Sequence, residues 1–284
     1  MLLHRWSQRP TFYYEVAGLA GICGIYYVYH LETVPVSGRV RFNCLSAETE
    51  QWLGQQTFKE LLNEYDGRIL PENSKEHRMA VRVMERLIPH CGLEGQEWEV
   101  RVIQDEQKNA FVLPGGKVFV FSGILDICRN EDGLAAVLGH EIAHNVAHHA
   151  AEQASRSLIL LPIGLLAWLA AGVDPQLLRT FTSLAFTLPG SRRQEEEADY
   201  IGLLMMSESC YEPTAALRLW AAMEQEEQGK APPQFMSTHP SNHNRLEKIQ
   251  GWMGEANEKR ETSDCGAVSW QAQRFREVGG MPWW

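Results

Sequence analysis

The pentapeptide His140-Glu141-Ile142-Ala143-His144 constrains the fold of this chain more than any other stretch. Residues four apart lie on one face of an α-helix, so both imidazoles can reach one ion if this segment is helical. Glu141 then lies beside that ion rather than on it. Two neutral nitrogen ligands and a nearby carboxylate suit a zinc ion that holds a water molecule for hydrolysis. The alternative is a surface helix on which two histidines and a glutamate occur by chance.

The sequence around the pentapeptide predicts a helix that belongs to the core. Asn130 or Asp132 can cap its start, and the helical pattern continues to about Ser155. Gly139 places no side chain next to His140, which would allow a neighbouring element to approach closely. The apolar residues share one stripe of this helix, as core packing requires: Leu134, Leu138, Ile142 and Val146.

A second helix, predicted to begin after Pro189-Gly190, can supply another ligand. Glu195, Asp199 and Gly202 share one face of this helix. A zinc site with two histidines needs a further protein ligand, and a carboxylate on this helix would provide it. Asp199 could hydrogen-bond a ligand histidine and fix its tautomer, and Gly202 would let the two helices approach closely. Taken alone, a run of glutamates is more typical of a solvated helix face.

Three strands are predicted before the histidine helix. Residues 98–102 alternate between apolar and polar side chains, and two apolar runs follow at 110–113 and 118–121. The segment 114–116, Pro-Gly-Gly, joins these runs as a hairpin, in which the proline makes the first run an edge strand. A free edge beside a metal helix could dock an extended peptide as an added strand. An ordinary structural hairpin explains the same pattern.

The N-terminal region contains an apolar segment at residues 12–31, about the length that crosses the core of a bilayer. Tyrosines cluster towards both of its ends, as they do at membrane interfaces. Arg5 and Arg9 precede it and no small-x-small cleavage site follows, so we expect an uncleaved anchor rather than a secretory signal peptide or a buried helix. A second apolar run, 158–173, is predicted either to enter the membrane, to form a buried helix, or to pack as a hairpin with residues 177–188.

Composition excludes some classes of function. The formal net charge of −10 leaves no basic stripe for phosphates, so we expect no nucleic-acid partner. The six cysteines include no CxxC pair, which predicts neither a cysteine-ligated zinc site nor a small disulfide framework. With 284 residues, of which 44% are hydrophobic, the chain can form one large domain or a domain with an appended segment.

Taken together, these motifs resemble those of the HtpX-type membrane zinc metallopeptidases, a family that includes the CAAX prenyl endopeptidase. The resemblance covers roughly residues 46–250 and runs in chain order through Asn109-Ala110-Phe111, Pro114-Gly115-Gly116, His140-Glu141 with His144 and His149, Ser191-Arg192, Glu195, Ala198-Asp199, His239-Pro240 and Arg245. Within the family, the chain is most similar to the mitochondrial inner-membrane Oma-type branch, because of Arg39-Val40-Arg41-Phe42-Asn43 and residues 198–203.

The resemblance implies the fold, the cofactor and the metal ligands. The implied fold is α+β and mainly helical, a zincin-like (gluzincin) domain with a small β-sheet, here preceded by an N-terminal membrane-anchor helix. The implied cofactor is one Zn²⁺ per chain, with His140, His144 and Glu195 as its ligands. Glu195 is the match because, among three consecutive glutamates, it alone lies four residues before Asp199.

The resemblance also implies the catalytic roles in a zinc-dependent cleavage of proteins. Glu141 matches the general base, and His239 matches a residue proposed to stabilise the oxyanion, with Arg245 ordering the loop that holds it. Asp199 and His149 match residues that support the site. Asn109, Ala110 and Phe111 match residues that bind substrate along the edge strand.

The expected organisation has two parts. Residues 1–45 form a basic segment, membrane anchor and linker, and residues 46–284 form a zinc metallopeptidase domain with a core at 74–250 and an apolar insertion at 158–188. The resemblance implies an enzyme that cleaves membrane or membrane-associated proteins in quality control at the mitochondrial inner membrane, with its catalytic domain in the intermembrane space. Its partners would be protein substrates and membrane lipid, with a homo-oligomer left open. One departure from the pattern is that no long transit peptide rich in arginine and serine precedes the apolar segment.

Two other functions fit parts of the sequence. The first is a catalytically idle membrane adaptor or holdase that binds partners through the apolar region 158–188, although a purely structural metal site has no need of Glu141. The second is a zinc hydrolase that acts on a non-peptide substrate, although the edge strand favours a peptide.

Overall fold

The computed structural model describes residues 2–93, 95–171, 174, 176, 188–227, 234–239, 244–263 and 265. The apolar stretch at 177–187 and Pro240, for which predictions are made above, lie outside the described residues. The chain forms two compact units. Unit 1 consists of Met1–Glu50 and Ala147–Arg193, and unit 2 consists of Gln51–Val146 and Gln194–Trp284. The fold is mainly helical, as predicted, and it contains two small sheets where one was expected.

The elements are numbered here in chain order. The strands are β1 (Leu31–Thr33), β2 (Val40–Phe42), β3 (Glu99–Ile103), β4 (Ala110–Leu113) and β5 (Lys117–Phe121). The helices are α1 (Leu2–Ser7), α2 (Phe12–Tyr29), α3 (Ala47–Glu64), α4 (Lys75–Leu87), α5 (Ser122–Cys128), α6 (Glu131–Val146), α7 (His149–Ala171), α8 (Leu188–Glu208), α9 (Thr214–Glu227), α10 (Gln234–Thr238) and α11 (Arg245–Thr262), with a 3-10 turn at Ile88–His90.

Unit 1 is held together by contacts between its N-terminal segment and α7. β1 and β2 pair antiparallel, and the ring of Tyr27 stacks on Phe42 with centroids 4.9 Å apart. Arg39 donates two hydrogen bonds, of 3.0 and 2.7 Å, to the fully buried carboxylate of Glu152 in α7. Such a bidentate pair gives a fixed geometry as well as attraction. These contacts set the position of the linker after α2.

The helix α2 covers most of the predicted anchor segment and buries none of its residues. Among the described residues, we find no helix that combines the length and the apolar character needed to cross a membrane.

The sheet of unit 2 confirms the predicted hairpin. β4 pairs antiparallel with β5, and β3 pairs parallel with β5, so β4 lies at an edge of this sheet. The turn between β4 and β5 contains Gly115 and Gly116 at φ of +88° and +79°, a conformation that side chains with a Cβ rarely adopt. Helix α3 packs on this turn: a Cβ on Gly54 would lie 2.1 Å from the carbonyl oxygen of Pro114.

The histidine helix is shorter than the sequence predicted. It begins at Glu131, and the Asn130 side chain accepts a hydrogen bond of 3.1 Å from the Gly133 N–H, as expected of a cap. It ends at Val146 instead of near Ser155. The cause is His148, whose φ of +45° lies in the left-handed region and cannot continue an α-helix.

The carboxylate helix also differs at its start. α8 begins at Leu188, so Pro189 and Gly190 lie within its first turn and do not precede it. A proline is tolerated there because the first N–H groups of a helix have no partner within that helix.

A disulfide joins Cys210, after α8, to Cys265, after α11. The cysteine spacing did not predict this pair, because the two residues lie 55 positions apart and meet only through packing of the folded chain.

Candidate metal centre

His140 and His144 converge in unit 2, as the helical spacing predicted. Both lie on α6, and their Nε2 atoms are 3.1 Å apart. His140 is 2% exposed, whereas the side chain of His144 is 17% exposed. The pair therefore lies at the boundary between core and solvent, and the Nε2 atoms of the two rings lie close together.

Glu195 and His239 complete the cluster. The Glu195 carboxylate of α8 lies 3.4 Å from His140 Nε2 and 3.5 Å from His144 Nε2. His239, directly after α10, places its Nδ1 3.1 Å from the carboxylate of Glu195 and 3.3 Å from His140 Nε2. These four residues offer ligand atoms that all lie within 4.8 Å of one another, so they could hold a metal ion.

The charges of this cluster are strongly coupled. Burial opposes a charge on His140, but its hydrogen bonds to Asp199 and Glu195 outweigh burial and raise its pKa to about 9. Burial likewise opposes the charge on Glu195, but hydrogen bonds from His140 and His239 hold its pKa well below the usual range. A histidine binds a metal ion through an unprotonated nitrogen, so metal binding at this cluster competes with protonation of His140.

Asp199 orients the His140 ring through its Nδ1 atom. Its Oδ1 lies 3.0 Å from His140 Nδ1 and accepts a hydrogen bond of 2.6 Å from Arg245. A carboxylate on Nδ1 fixes the tautomer in which Nε2 is free to bind a metal. Arg245 is buried, with its guanidinium carbon 3.2 Å from the ring centroid of Trp220 and its Nη1 3.5 Å from the His239 carbonyl oxygen. Arg245 thus contacts both Asp199 and the backbone of His239.

Glu141 differs from the other carboxylates of the site. It is 4% exposed, and burial raises its pKa. Its Oε1 makes no hydrogen bond within the described part of the chain, although His239 Nε2 lies 3.3 Å away. A buried carboxylate that has a raised pKa and an oxygen without a hydrogen-bond donor can accept a proton from a nearby molecule.

Two aromatic residues that sequence reasoning missed pack against the cluster. The ring of Trp220, from α9, contacts that of His140 edge-on, with centroids 5.5 Å apart. Phe235, in α10, stacks on His239 with centroids 4.7 Å apart and an angle of 29° between the rings. Phe235 precedes His239 by four residues, and that helical spacing was the available signal.

The predicted substrate-binding residues lie on or next to the edge strand. Asn109 precedes β4 and is half-buried, as is Phe111, while Ala110 is 1% exposed. The Asn145 side chain, on α6, donates a hydrogen bond of 2.7 Å to the carbonyl oxygen of Val112 and ties this strand to the histidine helix. A peptide could pair with Ala110 only after neighbouring groups move.

His149 was expected to support the metal site. It begins α7 and is buried in unit 1, whereas the cluster lies in unit 2. Its supporting role stays a prediction.

Two helices bring two histidines, a glutamate and a buried second carboxylate together, as a metal-dependent hydrolase requires, and the comparisons with known proteins identify the class as a metalloendopeptidase. The chain belongs to Peptidase family M48, whose model matches residues 74–253.

It is 47% identical over 258 residues to the mitochondrial metalloendopeptidase OMA1 of Schizosaccharomyces pombe, covering 90% of this chain and 76% of that protein. Identity to the Saccharomyces cerevisiae OMA1 is 38% over 272 residues, covering 89% and 78% of the two chains. Identity to the Homo sapiens OMA1 is 32% over 264 residues, covering 86% and 50%. The similarity to the Oma-type branch is thereby confirmed.

The close contact of α6 and α8 gives a testable prediction. A Cβ on Gly202 would lie 2.8 Å from both the Gly139 carbonyl carbon and the His140 nitrogen. Gly202→Ala must push the two helices apart, and a misplacement of about 1 Å can cost on the order of 10²-fold in rate. We expect this variant to lose metal and activity together, measured by elemental analysis and a proteolysis assay.

The matched control is Gly251→Ala in α11, where a Cβ would meet nothing within 4 Å. Wild-type metal content and activity in Gly202→Ala would show that the two helices do not depend on this contact.

Proposed function

We propose that this metalloendopeptidase is a zinc enzyme with a zincin-like (gluzincin) catalytic domain, and that His140, His144 and Glu195 hold one zinc ion per chain. One observation carries the proposal. Ligands about 2.0–2.1 Å from a tetrahedral zinc ion are separated by about 3.3 Å. The Nε2 atoms of His140 and His144 lie 3.1 Å apart, and the Glu195 carboxylate approaches them to 3.4 Å through Oε2 and to 3.5 Å through Oε1. Two imidazoles and one carboxylate are also a donor set found in catalytic zinc sites, which keep a further position open.

The mechanism we propose assigns a step to each remaining residue. Zinc at this position supplies Lewis acidity for peptide hydrolysis. Glu141 takes a proton from the attacking water and later delivers it to the leaving amine, for which its raised pKa suits it. His239 donates a hydrogen bond to the oxygen that becomes negative, and Arg245 holds the backbone of His239 in place.

The role of His239 predicts a partial loss of activity. Removing one preorganised oxyanion donor costs on the order of 10²–10³-fold in rate in other enzymes. We therefore expect His239→Ala to keep weak activity and to keep its metal, because the proposed ligands His140, His144 and Glu195 are unchanged. The measurement is kcat for cleavage of an unfolded protein by the wild type and by His239→Ala. His90→Ala is the control, because the His90 ring is half-buried and its Nδ1 lies 3.8 Å from the Glu208 carboxylate. Full activity in His239→Ala would remove this residue from the mechanism.

We further propose that the substrates are membrane or membrane-associated proteins and that the site of action is the mitochondrial inner membrane, in protein quality control. The relatives are named as mitochondrial metalloendopeptidases, which supports the compartment. Helix α2 supports contact with lipid, because its apolar side chains, such as Leu19, Ile22 and Ile25, are exposed. In this proposal residues 1–45 are the anchor and linker, and residues 46–284 are the peptidase domain facing the intermembrane space.

Fractionation of mitochondria with protease protection tests this location. The proposal requires the chain to stay with inner-membrane vesicles after carbonate extraction and to be digested once the outer membrane is opened. Release of the chain by carbonate would contradict a membrane anchor.

The alternative of a zinc hydrolase with a non-peptide substrate is tested by the same enzyme preparation. An edge strand at β4 is the element that would bind an extended peptide. Cleavage of an unfolded protein by the wild type, with no cleavage by Glu141→Gln, supports proteolysis. Hydrolysis of small esters or amides with no cleavage of protein would favour the alternative.

A further inference from the structure

Phe235 is fully buried and lies against the His239 ring. It is 0% exposed, and its ring stacks on that of His239 with centroids 4.7 Å apart. The same ring lies 5.8 Å from His140 and 5.7 Å from Trp220. Phe235 therefore fills the space behind the histidine cluster and faces His239 across a flat contact.

The backbone fixes where this phenylalanine stands. The Phe235 N–H donates a hydrogen bond of 3.1 Å to the carbonyl oxygen of Lys108, which lies two residues before β4. The His239 N–H in turn donates to the Phe235 carbonyl oxygen at 2.9 Å. The short segment that carries His239 is thus attached at Phe235 to a residue at the start of the edge-strand region.

The ring of His239 needs such a contact because its own torsion does not define it. The second side-chain torsion of histidine is broad and roughly two-fold, so the ring plane is set by packing. The His239 side chain is 13% exposed, and its two nitrogens lie 3.1 Å from Glu195 and 3.3 Å from Glu141. A rotation of the ring about this torsion would move both nitrogens away from these partners.

We propose that Phe235 is a positioning residue that fixes the ring plane of His239 and thereby the direction of its imidazole N–H. The inference rests on the oxyanion role proposed above for His239. The phenyl face, inclined by 29° to the imidazole and 4.7 Å away between centroids, opposes the rotation, and the Lys108 hydrogen bond keeps that face in place. Phe235 touches no substrate in this account and acts only through His239.

The test is a double-mutant cycle between Phe235 and His239, measured as kcat and KM for an unfolded protein substrate, with zinc content for each variant. In the wild-type background we expect Phe235→Leu to lower kcat about tenfold or more, since a misplacement of about 1 Å can cost on the order of 10²-fold. We expect KM to change by less than about twofold and zinc content to stay unchanged. In the His239→Ala background the same substitution should change kcat by less than about twofold, because residues that act as a unit are not additive.

Two further variants separate positioning from packing. Met236→Leu changes the neighbouring buried residue of α10, which has no aromatic ring to stack on His239, and should leave kcat near wild type. Phe235→Met keeps volume without a flat ring and should reproduce the effect of Phe235→Leu. Equal losses in both His239 backgrounds, loss of zinc in both Phe235 variants, or unchanged kcat in both would overturn the inference. If His239→Ala alone has full activity, the proposed role of His239 fails instead.

Discussion

Glu195→Gln is expected to abolish proteolysis and to weaken zinc binding. Loss of an outer partner of a metal ligand already costs roughly 10–100-fold in affinity, and loss of a ligand itself should cost at least as much. The amide keeps the shape of Glu195 but removes the charge that pairs with His140 and His144. Zinc affinity is measured by competition with a chromophoric chelator, and activity by cleavage of an unfolded protein.

The next residue along α8 provides the control. Glu196 has a half-exposed side chain and pairs at 2.5 Å with Lys248 on the surface. Exposed pairs of this kind contribute roughly 0–1 kcal/mol. Glu196→Gln should therefore bind zinc and cleave substrate as the wild type does. A Glu195→Gln protein with wild-type zinc affinity, or a Glu196→Gln protein that has lost zinc, would show that the ligand is assigned to the wrong glutamate.

Glu141→Gln is expected to separate metal binding from catalysis. The carboxylate of Glu141 is not among the residues that could hold the metal, so zinc content should stay at one ion per chain. Turnover should fall on the order of 10²–10⁴-fold, the usual contribution of a general base. The measurement pairs elemental analysis with single-turnover cleavage of the same preparation.

The control for this substitution lies on the same helix. Glu131, at the start of α6, pairs with Arg82 at 2.7 Å on the surface. Glu131→Gln should keep both zinc and activity. Full proteolysis by Glu141→Gln would exclude it as the base, and loss of zinc would place it among the ligands.

Local spacing in the sequence predicted the parts of the site that lie within one helix or at one contact between helices. His140 and His144 meet because residues four apart share a helix face. The contact between Gly139 and Gly202 was expected because neither has a side chain to hold the backbones apart. The edge position of β4 was expected from the hairpin and from its proline.

Other features depend on packing between distant segments and left no local signal. The positive φ of His148 ends the helical run after α6, although nothing in its residue type demands that conformation. Trp220 resembles an ordinary apolar residue of an amphipathic helix, and only the folded chain places it against His140. The partners of a long-range contact are chosen by the whole fold, so the spacing of residues in one segment does not reveal them.

The most direct test of a catalytic zinc ion is a titration of activity against bound metal. The wild-type chain, in membranes, is stripped with a chelator and then given increasing amounts of zinc while zinc content and proteolysis are measured on the same samples. We expect no proteolysis in the stripped protein and a linear recovery that saturates at one zinc ion per chain. Full proteolysis by protein that contains no metal would contradict a catalytic zinc ion.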